Sequence, residues 1–92
     1  MSDAEQRLAE IRSAIDAIDA KLLEHLAERA RLGVEAGAAK AELGRPVRDP
    51  SREEALLERI VAHGAAPLSA EDLRSIWEAL MAATRRAEER HR

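Results

Sequence analysis

Hydrophobic residues recur every three or four positions along the first part of the chain. The apolar positions that carry this pattern are Leu8, Ile11, Ile15, Ile18 and Leu22. Such spacing is typical of a helix with one apolar face. The helix is expected to end before Gly44-Arg45-Pro46, because glycine and proline commonly end helices. A long helix is therefore predicted from about residue 4 to about residue 42.

Two shorter helices are predicted in the rest of the chain. Asp49 and Pro50 supply a capping oxygen and a proline suited to the first helical turn, which predicts a second helix at about 50–63. Ser69 starts a capping-box pattern, which predicts the third helix at about 69–90. The apolar faces of these two helices are formed by Leu56, Leu57, Ile60 and Val61, and by Leu73, Ile76, Trp77, Leu80 and Met81.

The composition supports an all-α class. Of the 92 residues, 46% are apolar and 36% are charged, and a single Trp is the only aromatic residue. Strands favour aromatic and β-branched residues, which are scarce here. We therefore predict one domain over residues 1–92, with one long and two shorter helices. Because the chain has no cysteine, neither a disulfide nor a zinc finger is expected.

The length of the first helix predicts a dimer. At 1.5 Å per residue this helix is about 57 Å long, whereas a compact 92-residue protein has a radius of gyration of about 12 Å. The two shorter helices reach along only part of such a rod. We therefore expect an intertwined homodimer in which a second chain covers the remaining apolar face.

Several classes of partner and location are disfavoured. The net charge of −3 and the single aromatic residue argue against a nucleic-acid-binding protein, which usually has a basic face. No apolar run approaches the length of a membrane span, about 20 residues. No charged-then-apolar leader opens the sequence. A cytoplasmic location is the resulting expectation.

Polar side chains interrupt the apolar faces of all three predicted helices. Arg29 and Lys40 share one face of the long helix, and Gly33 and Gly37 lie between them, where they could leave a hollow or permit close helix packing. The other inward-facing polar residues are Arg52, Glu53, Thr84 and Glu88. Buried charges need partners, and a set richer in cations suits a small anion such as a dicarboxylate. Taken singly, each residue could also be a solvated or back-bonded group. The alternative to an anion-binding site is therefore a non-catalytic helical dimerisation module, in which these charges are simply solvated.

Arg12 points to a site shared between chains. It lies 17 residues before Arg29, about 25 Å along the helix, which is too far for both to reach one small ligand. In a dimer of interleaved long helices, the partner's Arg12 would reach the site instead.

Several motifs together resemble the all-helical class of chorismate mutase. They are LAEIRSAIDAID at 8–19, AERA at 27–30, RPVRDPSREE at 45–54 and TRRAE at 84–88. The resemblance extends over about residues 7–89 and implies an intertwined dimer with two equivalent active sites. The implied reaction is the Claisen rearrangement of chorismate to prephenate, on the path to phenylalanine and tyrosine. It implies no cofactor and no metal ion, because a pericyclic step needs neither.

The resemblance also implies roles for the candidate site residues. Arg29, Lys40 and Glu88 would be the catalytic groups. Arg29 and the partner's Arg12 would bind the two substrate carboxylates, and Lys40 would contact a carboxylate and the ether oxygen. Glu53 would accept a hydrogen bond from the ring hydroxyl. The remaining substrate-binding residues would be Asp49, Arg52 and Thr84.

Two positions depart from the common pattern of this class. Thr84 stands where serine is common, and Glu88 stands where many bacterial relatives have glutamine. An ionised Glu88 would repel the ether oxygen, whereas a protonated one would donate a hydrogen bond to it. We therefore expect the rate to fall as the pH rises and Glu88 loses its proton.

Other functions on the same fold remain open at this point. Isochorismate pyruvate lyase and 4-amino-4-deoxychorismate mutase could use a similar cationic site. Some small relatives also depend on an activating partner enzyme of the same pathway.

Overall fold

The computed structural model describes residues 2–92. That part of the chain forms three α-helices: α1 at Asp3–Glu42, α2 at Pro50–His63 and α3 at Ala70–Arg90. No strand forms within these residues, and an isolated bridge joins Ala65 to Leu68 in the α2–α3 connection. The predicted all-α class with one long and two shorter helices is confirmed. None of the helices in residues 2–92 is long and apolar enough to cross a membrane.

The starts of α2 and α3 are set by the side chains that the sequence indicates. Asp49 Oδ1 accepts a hydrogen bond from the backbone N–H of Arg52 at 3.1 Å, and Pro50 occupies the first turn. Ser69 Oγ accepts from the backbone N–H of Asp72 at 3.0 Å and completes a capping box. Each cap satisfies an N–H group that the helix itself leaves without a partner. Helices α2 and α3 thus begin directly after the capping residues Asp49 and Ser69.

Helix α3 packs against both α1 and α2 and forms the centre of a small core. The most deeply buried apolar side chains are Leu57, Leu73 and Met81, which are 4–6% exposed. On α1, burial is confined to residues 29–40, and Gly37 is its buried residue. Ile76 was expected on the apolar face of α3, but it is 46% exposed within the chain. The core therefore lies at the C-terminal end of α1.

The other end of α1 projects away from this core. The molecule measures 61 × 26 × 15 Å and has a radius of gyration of 17.4 Å, against about 12 Å for a compact chain of this length. All of residues 2–28 are exposed. The exposed apolar residues of this half are Leu8, Ile11, Ile15, Ile18, Leu22, Leu23 and Leu26. A continuous exposed apolar stripe of this kind marks an interaction surface.

Candidate active site

A cavity of about 300 Å³ lies between α1, the start of α2 and the end of α3. This volume is at the lower end of the range typical of small-molecule sites. Leu32, Leu56 and Met81 form apolar parts of its wall. Its charged and hydroxyl-bearing lining residues are Arg29, Lys40, Asp49, Arg52, Glu53, Thr84, Arg85 and Glu88. The structure therefore brings together the sequence-predicted site residues, with the exception of Arg12.

Arg12 lies in the half of α1 that projects from the core and is exposed. It is separated from Arg29 by 17 positions of continuous helix, which is about 25 Å. An extended arginine side chain cannot cover that distance. Within one chain, Arg12 and the cavity are therefore separate.

Lys40 is held at one end of the cavity by two acceptors. Its Nζ donates to the backbone oxygen of Val47 at 2.9 Å and to Oε2 of Glu88 at 3.1 Å. Glu88 is only 6% exposed, and Lys40 is 27% exposed. Because an ammonium group has three N–H donors, one donor of Lys40 remains for a ligand oxygen. The two acceptors thus fix the Lys40 ammonium group at a defined place in the wall.

Arg29 is oriented by a hydroxyl group of α3. Its Nη1 donates to Thr84 Oγ1 at 2.8 Å, and the same hydroxyl donates to the backbone oxygen of Leu80 at 2.9 Å. The Thr84 hydroxyl therefore bonds back to its own helix and also faces the cavity, where it accepts a hydrogen bond from Arg29. A guanidinium carries five N–H donors, so Arg29 keeps enough of them for a carboxylate.

Two glycines allow α3 to approach α1 closely. A Cβ atom built on Gly33 would lie 2.5 Å from Cγ2 of Thr84, and one on Gly37 would lie 3.3 Å from Cγ of Glu88. Close helix packing therefore explains both glycines. Gly33 also lines the cavity. This approach brings Thr84 and Glu88 within reach of the cations of α1.

Glu53 has a cationic partner, Arg85, which is not among the site residues predicted from the sequence. Its Oε2 accepts from Nη1 of Arg85 at 2.5 Å, and its Oε1 lies 3.8 Å from Nε of Arg48. Arg85 follows Met81 by four positions, which is the spacing that could have placed it on the inward face. With Arg85 included, the cavity wall holds four cations and three carboxylates: Arg29, Lys40, Arg52 and Arg85 against Asp49, Glu53 and Glu88.

Comparison with known proteins agrees with this geometry. A family model described as chorismate mutase type II matches residues 11–89. The chain belongs to the chorismate mutase type II family. The resemblance inferred from its motifs is confirmed, and the cavity lies in the part of the chain that the family model matches.

Individual relatives place the chain within this family. It is 51% identical over 63 residues to the bifunctional chorismate mutase/prephenate dehydratase of Escherichia coli (strain K12), which is 68% of this chain and 16% of that protein. It is 46% identical over 55 residues to the chorismate mutase of Methanocaldococcus jannaschii, covering 60% of this chain and 56% of the relative. The chain thus spans about a sixth of the bifunctional protein and about half of the single-function one.

A solved structure shows the same fold over nearly the whole chain. Chorismate mutase (form II) from Thermus thermophilus superposes with a TM-score of 0.89 at 34% sequence identity. The match covers 91% of this chain and 96% of that one. The three-helix arrangement of residues 2–92 is therefore the arrangement of a chorismate mutase chain.

The contact between Gly33 and Thr84 predicts that the effect of Gly33→Ala on stability depends on the methyl group of Thr84. Gly33→Ala places a Cβ against Cγ2 of Thr84, and overpacking of this kind costs about 1–3 kcal/mol. Thr84→Ser removes that methyl group and keeps the hydroxyl. In the Thr84→Ser background, Gly33→Ala should instead raise the free energy of unfolding by up to about 1 kcal/mol through helix propensity. Urea unfolding of the four variants measures this, and a destabilisation of equal size in both backgrounds would show that the methyl group is not the obstacle.

Proposed function

We propose that this chain catalyses the rearrangement of chorismate to prephenate. The observation that carries the proposal is the Lys40 ammonium, fixed by Val47 and Glu88 in a cation-rich cavity of a chain that belongs to the chorismate mutase type II family. The bifunctional relative joins a chorismate mutase to a prephenate dehydratase. That pairing supports prephenate as the product.

The proposed mechanism is electrostatic and conformational. Chorismate carries two carboxylates, and the C–O bond of its ether breaks while a C–C bond forms within the same molecule. Arg29, with donors left over from Thr84, binds one carboxylate as a bidentate pair. Holding the substrate in its compact reactive shape removes part of the entropic barrier. The remaining donor of Lys40 stabilises the negative charge that grows on the ether oxygen.

We further propose that the active unit is a dimer and that the partner's Arg12 completes each site. The wall of one chain has one more cation than carboxylate. An arginine from a second chain would increase this excess of positive charge, which suits a dianionic substrate. The exposed apolar stripe of α1 supports the same arrangement, because a second long helix would bury it.

One antiparallel register of the two long helices both brings Arg12 to the partner's site and covers the exposed apolar stripe. We place the twofold axis near residues 20–21, so that Arg12 lies level with the partner subunit's Arg29. In this register Ile15 lies level with the partner subunit's Leu26, and Ile18 with the partner subunit's Leu23. All of these apolar residues are exposed within one chain. A single pairing would therefore bury the stripe and deliver Arg12 to the site.

The proposed activity is tested with purified protein and chorismate. We expect the absorbance of chorismate to decay and the product to be prephenate. Lys40→Ala should lower kcat by about 10²–10³-fold, the usual effect of removing one transition-state donor. Arg59→Ala, which removes an exposed cation of α2 that does not line the cavity, is the matched control and should leave the rate unchanged. Release of pyruvate, or no turnover, would contradict the proposal.

A second prediction concerns the protonation of Glu88. We propose that a protonated Glu88 donates to the ether oxygen, so that kcat/KM falls as the pH rises and this proton is lost. In the Glu88→Gln variant the amide donates at every pH, and the decline should disappear. Glu89→Gln changes an exposed neighbour and should keep the profile of the unmodified chain. An unchanged profile in Glu88→Gln would show that Glu88 does not act as a donor.

A further inference from the structure

Glu53 and Arg85 form an ion pair that separates two cavities. The candidate active site shares Glu53, Met81 and Arg85 with a second cavity of about 290 Å³. The two charged side chains are 20% and 25% exposed. They come from α2 and α3, so the pair joins these helices at the wall of the site.

The pair leaves the Glu53 carboxylate both oriented and neutralised. Its Oε2 is hydrogen-bonded to Arg85, and its Oε1 lies beyond hydrogen-bonding distance of Arg48 at 3.8 Å. A charge-assisted hydrogen bond in a partly buried place is stronger and geometrically more restrictive than one in water. Glu53 therefore presents an acceptor whose negative charge is largely offset by its neighbour.

We infer that Arg85 is a positioning residue that makes the site select a neutral hydroxyl over a charged ammonium group. This inference rests on the proposed function, in which Glu53 accepts a hydrogen bond from the ring hydroxyl of chorismate. An acceptor that is already paired with an arginine can still bind a hydroxyl. It attracts an ammonium group much less, because the nearby guanidinium repels that cation.

Removal of Arg85 should therefore have opposite effects on two substrates. Chorismate is a dianion, and an unneutralised Glu53 in the wall would repel it. The 4-amino analogue carries an ammonium group at neutral pH, because its amine is on a saturated carbon. The free carboxylate would attract that group. The substrates differ at the position that Glu53 is proposed to contact, so their comparison reports on that contact.

A second ion pair between the same two helices provides a matched control. Arg74 of α3 binds both carboxylate oxygens of Glu54 of α2 at 3.1 Å. The hydrogen bonds that it donates to Glu54 raise the pKa of Arg74 above its ordinary value. Both residues line the second cavity, and within residues 2–92 neither belongs to the wall of the candidate active site. The loss of Arg74 thus removes an α2–α3 arginine bridge without touching the proposed substrate contact.

The first experiment measures kcat and KM for chorismate and for 4-amino-4-deoxychorismate. In Arg85→Met we expect kcat/KM for chorismate to fall about tenfold, which is the effect of losing a charged hydrogen-bonding partner. The change should reside mainly in KM, because the hydroxyl is not at the bonds that break or form. The preference for chorismate over the amine should fall by more than this factor. Arg85→Lys should restore most of the preference, and Arg74→Met should leave it unchanged.

The second experiment tests whether Arg85 acts through Glu53. In a Glu53→Gln background Arg85 has no carboxylate to orient and keeps only its attraction for the dianion, so Arg85→Met should lower kcat/KM for chorismate by clearly less than about tenfold. An equal tenfold loss in both backgrounds would show that Arg85 binds the substrate directly and would overturn the inference. An unchanged substrate preference in Arg85→Met, with chorismate turnover intact, would also overturn it.

Folding is monitored by circular dichroism for every variant. If Arg85→Met does not fold, Arg85→Gln keeps a polar side chain without the charge and carries the same expected loss of preference. If the unmodified chain turns over no chorismate, the proposed function fails and the inference fails with it. If the unmodified chain is active but Arg85→Met shows no shift in substrate preference, the inference about Arg85 fails and the proposed function stands.

Discussion

Helix α1 is too long for the other two helices of the chain to cover. A helix of 40 residues runs the full 61 Å of the molecule, but α2 and α3 cover only its C-terminal part. The covered part contributes cations to a cavity, and the uncovered part exposes a stripe of large apolar side chains. Because exposed apolar area is costly in water, the proposed dimer would bury the uncovered half of the helix that builds the site.

The covered half of α1 is held by close contact with α3 rather than by a large apolar core. Gly33 and Gly37 let Thr84 and Glu88 approach the helix, and these two side chains then hold Arg29 and Lys40. The donors of the proposed site are thus fixed before substrate arrives. Such preorganisation is what electrostatic catalysis requires, because donors that are already aligned need not reorganise in the transition state.

The sequence predicts the local features of this chain well, since they depend on neighbouring residues. Helix type, both capping motifs and the inward position of Lys40 and Glu88 follow from periodicity and turn chemistry. The pair of Arg85 with Glu53 joins positions 32 residues apart, and no local pattern reveals it. The exposure of Ile76 has the same origin, because burial depends on how helices pack. Local sequence patterns likewise cannot show which chain would supply Arg12, because that depends on how two chains assemble.

Each active site is proposed to combine residues of two chains, and mixing two inactive variants distinguishes this arrangement from a site built within one chain. Arg12→Ala and Lys40→Ala should each be almost inactive alone. When the two are unfolded and refolded together, the mixed dimers have one site with both native residues. About a quarter of the unmodified activity should then return, as expected for random pairing in a twofold dimer. No recovery on mixing, or full turnover by chains that light scattering shows to be 10.1 kDa monomers, would show that the site does not combine residues of two chains.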